Sequence, residues 1–90
     1  MTANNKFRKS RLKTFSPVKL KRARIKRGLS LAGLGERVGI AKQSIAQYER
    51  GDNLPTLENF FLLAHELGVE PSELIKDYRA PKKAGATVSP

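Results

Sequence analysis

Apolar and polar positions along the chain alternate in a way that predicts five short helices, four of them opened by a polar cap or proline and most closed by glycine. Ser16-Pro17 starts the first, with Ser16 as N-cap and Pro17 at the first helical position, where a missing N–H costs nothing. It runs to Arg27, Gly28 takes the left-handed position after it, and Leu20, Ala23 and Ile25 supply the inner face. Ser30 caps a second helix over Leu31–Val38, with Leu34 and Val38 inward and Gly39 as its stop. Gly39-Ile40-Ala41 forms a turn into a third helix, read as 41–50, which buries Ile45 and Tyr48 and exposes Lys42, Gln43, Ala46 and Gln47. Thr56 caps the fourth, whose apolar positions 57, 60, 61, 64 and 67 keep the helical period, and Gly68 ends it. Glu70-Pro71 opens a fifth, with Leu74 and Ile75 toward the core and Tyr78 near its end.

The fold class is therefore all-α, a compact five-helix domain over 16–78. A flexible basic arm over 1–15 precedes it, and a short disordered tail over 79–90 follows. Two glycines cut across the pattern of the second helix, each at a cost of about 1 kcal/mol relative to Ala. Gly35 fits a close helix crossing that demands a small residue. Gly33 has no such explanation in the sequence.

Composition narrows the function classes. A folded unit of this size buries only about 60% of its unfolded surface, which leaves little room for a deep catalytic cleft. With no cysteine, disulfides and thiolate metal sites are excluded. The longest uninterrupted apolar stretch, Phe60 to Ala64, is far too short for a membrane span. The N-terminus is basic without the apolar stretch of a secretory signal, so a cytoplasmic protein is expected. The net charge of +10 is unevenly spread. Residues 1–35 hold eleven Lys and Arg and no acid, whereas 36–90 hold seven bases and all eight acids. Segregation of this kind points to a polyanionic partner, with nucleic acid ahead of an acidic membrane surface.

Two short helices joined by a Gly-led three-residue turn, the second rich in short polar side chains, form the helix-turn-helix pattern. Its logic is geometric. The left-handed turn wants Gly39, the crossing wants Gly35, and the hinge wants Ile40 and Ile45. The exposed face of helix 41–50 then enters the major groove. There the amides of Gln43 and Gln47 match adenine N6 and N7, and Lys42 reaches guanine O6 and N7 or a phosphate.

The segment Arg24–Ile75 resembles the Xre/Cro/C1-type helix-turn-helix domain of lambdoid phage repressors and related bacterial regulators. The most specific stretches are G-L-S (28–30), G-I-A-K-Q-S-I-A-Q-Y-E-R-G (39–51), P-T-L-E (55–58) and L-G-V (67–69). The resemblance implies a five-helix domain that binds, as a dimer at least on DNA, to a double-stranded operator with two half-sites. It assigns base reading to Lys42, Gln43 and Gln47, and base or phosphate contact to Ser44. It assigns phosphate contact to Arg50 with the backbone of Gly51 to Asn53. It also pairs Arg24 with Glu49, an arrangement that makes physical sense because a charge on an inner helical face is costly unless paired.

Three positions depart from the family pattern. Leu31 stands where Gln usually bonds a phosphate. Ala41 replaces the Ser or Thr cap of the recognition helix, which forfeits about 1 kcal/mol. Gly35 replaces a small Ala. Cationic residues of the first helix (Lys19, Arg22 and Arg27) and of the arm (Arg8, Lys9 and Arg11) are expected to supply the missing phosphate contacts. Arg8 and Arg11 are the preferred minor-groove candidates, since narrow A·T tracts attract Arg. Leu62, Ile75 and Tyr78 are the candidate dimer contacts.

The sequence gives other classes less support. The sole histidine, His65, lies beside Glu66 without a nucleophile or ligand spacing, so no enzyme, metal or cofactor is expected. A membrane-surface peptide would need a broader apolar side than the first helix offers. RNA binding would suit the basic N-terminal third, but the stacking aromatics of an RNA-binding sheet are missing. Within DNA binding, an antitoxin-type autoregulator and a restriction-controller activator compete with a repressor. No small-molecule or protease-cleavable domain follows the helices, so no small-molecule ligand is expected, and repression by blocking polymerase is the leading reading.

Overall fold

Hydroxyl caps set three of the helix starts in the computed structural model, which describes residues 12–76. Ser16 accepts from the Lys19 N–H at the start of α1 (Pro17–Lys26). Ser30 does the same for Gly33 at the head of α2 (Leu31–Val38). Thr56 accepts from Asn59 and starts α4 (Leu57–Leu67). Between them α3 (Lys42–Arg50) begins one residue later than expected, because Ala41 is its N-cap and makes no side-chain bond. No helix among the described residues is long and apolar enough to cross a membrane.

The core runs through all four helices. Leu20 of α1, Leu34 of α2, Ile45 and Tyr48 of α3, and Phe60, Leu63, Ala64 and Leu67 of α4 are buried together with Leu74. At the crossing of α2 and α3, a Cβ on Gly35 would lie 2.6 Å from the Ile40 carbonyl oxygen, so only glycine fits. Gly33 has a different reason for its size. A Cβ there would stand 3.1 Å from the Ser30 hydroxyl that caps the helix.

Several expectations are corrected. Residues 12–15 are not part of a free arm. Leu12 packs against the core and Phe15 is fully buried, its ring edge-on to Tyr48 and Phe60 with centroids 6.4 Å away in each case. The backbone of this segment is held too, by Leu12 N–H to the Pro55 carbonyl, Ser16 N–H to that of Leu74, and Lys76 N–H to that of Thr14. The fifth helix is a single 3-10 turn, Pro71–Leu74, braced by the Glu73 carboxylate accepting from the Glu70 N–H at 3.0 Å. It stops there because Ile75 turns extended and bridges to Phe15. Ile25 is exposed rather than inward. On α4 the core stripe is 60, 63, 64 and 67, which leaves Leu57 and Phe61, 53% and 49% exposed, on an outer flank. The apolar residues of α4 cover two flanks, and the period alone did not say which one faces inward. The expectations at Arg8, Lys9, Arg11 and Tyr78, and for the tail 79–90, lie outside the described residues.

Candidate nucleic-acid interface

Helix α3 is divided by its own sequence. Ile45 and Tyr48 are buried, and Asn59 Nδ2 donates to the Tyr48 hydroxyl at 3.1 Å, which ties the helix to α4. On the opposite side Lys42, Gln43, Gln47 and Arg50 follow one another at helical spacing around the small Ala46. Lys42 and Gln43 are exposed, and Gln47 is half-buried. None of these three side chains has a hydrogen-bond partner among the described residues, and no buried side-chain donor or acceptor there is unsatisfied. Their polar atoms are therefore turned to solvent, with full capacity for an external partner. Ser44 sits on the border of this face and is half-buried.

The orientation of α3 is fixed from α1. Arg24 grips Glu49 through two bonds, Nε to Oε2 at 2.6 Å and Nη2 to Oε1 at 3.0 Å, and its Nη1 donates to the Leu29 carbonyl at 2.8 Å. The two side chains are only 11% and 7% exposed. One guanidinium therefore joins α1, the loop into α2, and α3. The bond to Glu49 holds the Arg24 guanidinium in its charged form more firmly than usual, against the opposing effect of burial. The expected pairing is thus present, in the bidentate geometry that makes such pairs strong.

At the far end of α3, Arg50 Nε donates to Asp52 at 2.8 Å, and both side chains are exposed. An exposed pair of this kind contributes little to stability and exchanges readily. Gly51 takes the left-handed cap position, and the Asn53 side chain accepts from the Leu54 N–H. The structure thus brings Lys42, Gln43, Ser44, Gln47, Arg50, Gly51 and Asn53 onto α3 and its exit loop.

It does not bring Lys19, Arg22 and Arg27 there. Pro17 and Arg24, one flank of α1, meet Gly51 and Glu49 of the α3 segment. Lys19, Arg22 and Lys26 occupy the opposite flank and line a groove against the 3-10 turn. The Lys19 ammonium donates to the Ile75 carbonyl at 2.8 Å, and Arg27 points toward Gly68 at the end of α4. Charge alone does not separate these residues from Arg24, and only the fold shows which flank meets α3. Leu31 is half-buried and packs against the core, so its place in the family pattern serves packing in this chain. Among the expected dimer contacts, Leu62 is exposed, whereas Ile75 is engaged by Phe15 and Lys19. The exposed pair Leu57 and Phe61 was missed, although its i, i+4 spacing was visible. Among the described residues no group of His, Cys, Asp or Glu is arranged to hold a metal ion.

Comparison with known proteins agrees with this geometry. A helix-turn-helix family model matches residues 20–74. The restriction-modification controller protein C.AhdI from Aeromonas hydrophila is 32% identical with a TM-score of 0.63, over 66% of this chain and 89% of that one. The P22 c2 repressor, solved with a synthetic operator, is 31% identical with a TM-score of 0.65, over 69% and 94%. SinR, a master regulator for biofilm formation solved with DNA, is 27% identical with a TM-score of 0.63, over 66% and 98%. No curated protein matches.

Proposed function

Because the chain belongs to the Cro/C1-type helix-turn-helix family of DNA-binding transcriptional regulators, we propose that it is a repressor, reading a two-half-site operator as a dimer and blocking polymerase there. One observation carries the reading. Three adjacent, unpartnered polar side chains, Lys42, Gln43 and Gln47, share the solvent face of a helix that Arg24 and Tyr48 hold fixed. Amide side chains on a rigid helix suit paired contacts to adenine, and Lys42 suits guanine. In this reading Ser44 meets a base or a phosphate, and Arg50 with the backbone of Gly51 to Asn53 meets the flanking phosphates, Arg50 exchanging Asp52 for DNA.

A single recognition helix offers less area than the roughly 1,000 Å² that tight specific binding needs, and this favours a dimer. The support for its surface is the outside of α4, where Leu57 and Phe61 share one flank and Leu62, farther round the helix, is also exposed. A dimer reading two half-sites must set its α3 helices in successive major grooves, about 34 Å apart. Sedimentation of protein saturated with operator duplex tests this. Two chains per duplex are expected, with Phe61→Lys reducing this to one. One chain per operator in the unaltered protein would overturn the dimer. A transcription assay on an operator overlapping a promoter distinguishes repression from the activation expected of a controller.

A further inference from the structure

The most cationic surface of the described domain is turned away from the DNA-reading face. Lys19, Arg22 and Lys26 follow one another at i, i+3 and i+7 along α1 and border a groove of about 610 Å³ between that helix and the 3-10 turn. Ala23, Val69 and Leu74 give the groove an apolar floor. Neither Arg22 nor Lys26 has an acidic partner among the described residues. Glu73, which also lines the groove, accepts from the Glu70 N–H and forms no ion pair with the row. Lys19 bonds the Ile75 carbonyl, but Arg22 and Lys26, four residues apart, repel one another and gain nothing from their proximity.

Charge complementarity decides what fits. The segments beyond the described residues are basic on balance: Lys6, Arg8, Lys9 and Arg11 precede them, and Arg79, Lys82 and Lys83 outnumber Asp77 after them. Neither segment suits a groove of like charge. A second copy offers no clustered acidic face among the described residues: Glu49, Asp52 and Glu66 are each paired to an arginine, Glu70 and Glu73 belong to the 3-10 turn beside the same groove, and Glu36 and Glu58 stand singly on α2 and α4. A bare phosphate backbone would match the cations but not the apolar floor. We propose that the groove between α1 and the 3-10 turn docks an acidic amphipathic helix of a partner protein. Apolar side chains of that helix lie on Ala23, Val69 and Leu74, and its carboxylates meet Arg22 and Lys26. Docking there leaves α3 free, so the partner and DNA bind together.

The test uses the full chain and a fluorescein-labelled helical peptide with Leu at every third or fourth position and Glu elsewhere. A second peptide contains Glu alone, and a third probe is random-sequence duplex DNA. At physiological salt the amphipathic peptide is expected to bind, and the Glu-only peptide to bind about tenfold more weakly. The double variant Arg22→Gln, Lys26→Gln is expected to lose about tenfold in peptide affinity while keeping duplex binding within about threefold. The double variant Lys42→Ala, Gln43→Ala is expected to keep peptide affinity within about threefold. Thermal unfolding confirms that each variant folds. Three results would overturn the proposal: no binding of the amphipathic peptide, equal binding of the two peptides, or a tenfold loss of duplex affinity in the Arg22, Lys26 variant. The last would assign the row to phosphate instead.

Discussion

Helices α1 and α3 make opposite use of their exposed faces. α3 presents amides and one free lysine, and its other cation, Arg50, is neutralised by Asp52. α1 carries five of the eleven described Lys and Arg, yet the one seen bonded to α3, Arg24, is consumed by Glu49. The difference teaches that total charge is a poor guide to the reading surface. Sequence is read by matched donors and acceptors on a rigid helix, while phosphate attraction can come from elsewhere in the chain. In this protein the rigidity comes from a buried ion pair and an aromatic core under α3.

Breaking the link between the two helices should have the largest effect. Arg24→Ala leaves Glu49 buried without a partner and is expected to cost about 3–5 kcal/mol in stability, read as a lower urea midpoint with unchanged slope. Phe15→Ala removes the ring against which Tyr48 and Phe60 pack edge-on, and is expected to cost about 3–5 kcal/mol in the same experiment. Gln43→Ala and Gln47→Ala act on the proposed reading face alone. Each is expected to lose about 1–3 kcal/mol of binding to a specific duplex, by fluorescence anisotropy, while the urea midpoint stays put. The smallest expected effect is a gain. Ala41→Ser supplies the missing cap of α3 and should add about 1 kcal/mol to stability.

Much of this arrangement was legible in the sequence because it is local. Ser16, Ser30 and Thr56 cap where hydroxyls precede helices, and Gly35 marks the crossing that its contact with the Ile40 carbonyl enforces. The Arg24–Glu49 pair followed from the family resemblance and from the cost of inner charges. What the sequence hid depends on contacts between distant segments. Phe15 sits among Lys13, Thr14 and Ser16, so its burial becomes visible only when Ile75 returns to bridge it. The fifth helix stops at Leu74 for the same reason. Lys19, Arg22 and Arg27 looked equivalent to Arg24 by charge alone. The orientation of α1 separates them, and no local pattern encodes that angle. On α4 both flanks are apolar, and the choice of 60, 63, 64 and 67 as the inner stripe is made by the neighbouring helices.

The most direct test of the central claim, that α3 reads base sequence, is selection of random duplexes by the purified protein, repeated with Gln47→Ala. The unaltered protein is expected to enrich one site with two related half-sites about one helical turn apart. The variant is expected to enrich the same site with relaxed preference at one position in each half-site. Failure to enrich any sequence, or enrichment of the identical site with undiminished preference by the variant, would contradict the assignment of α3 as the reading helix.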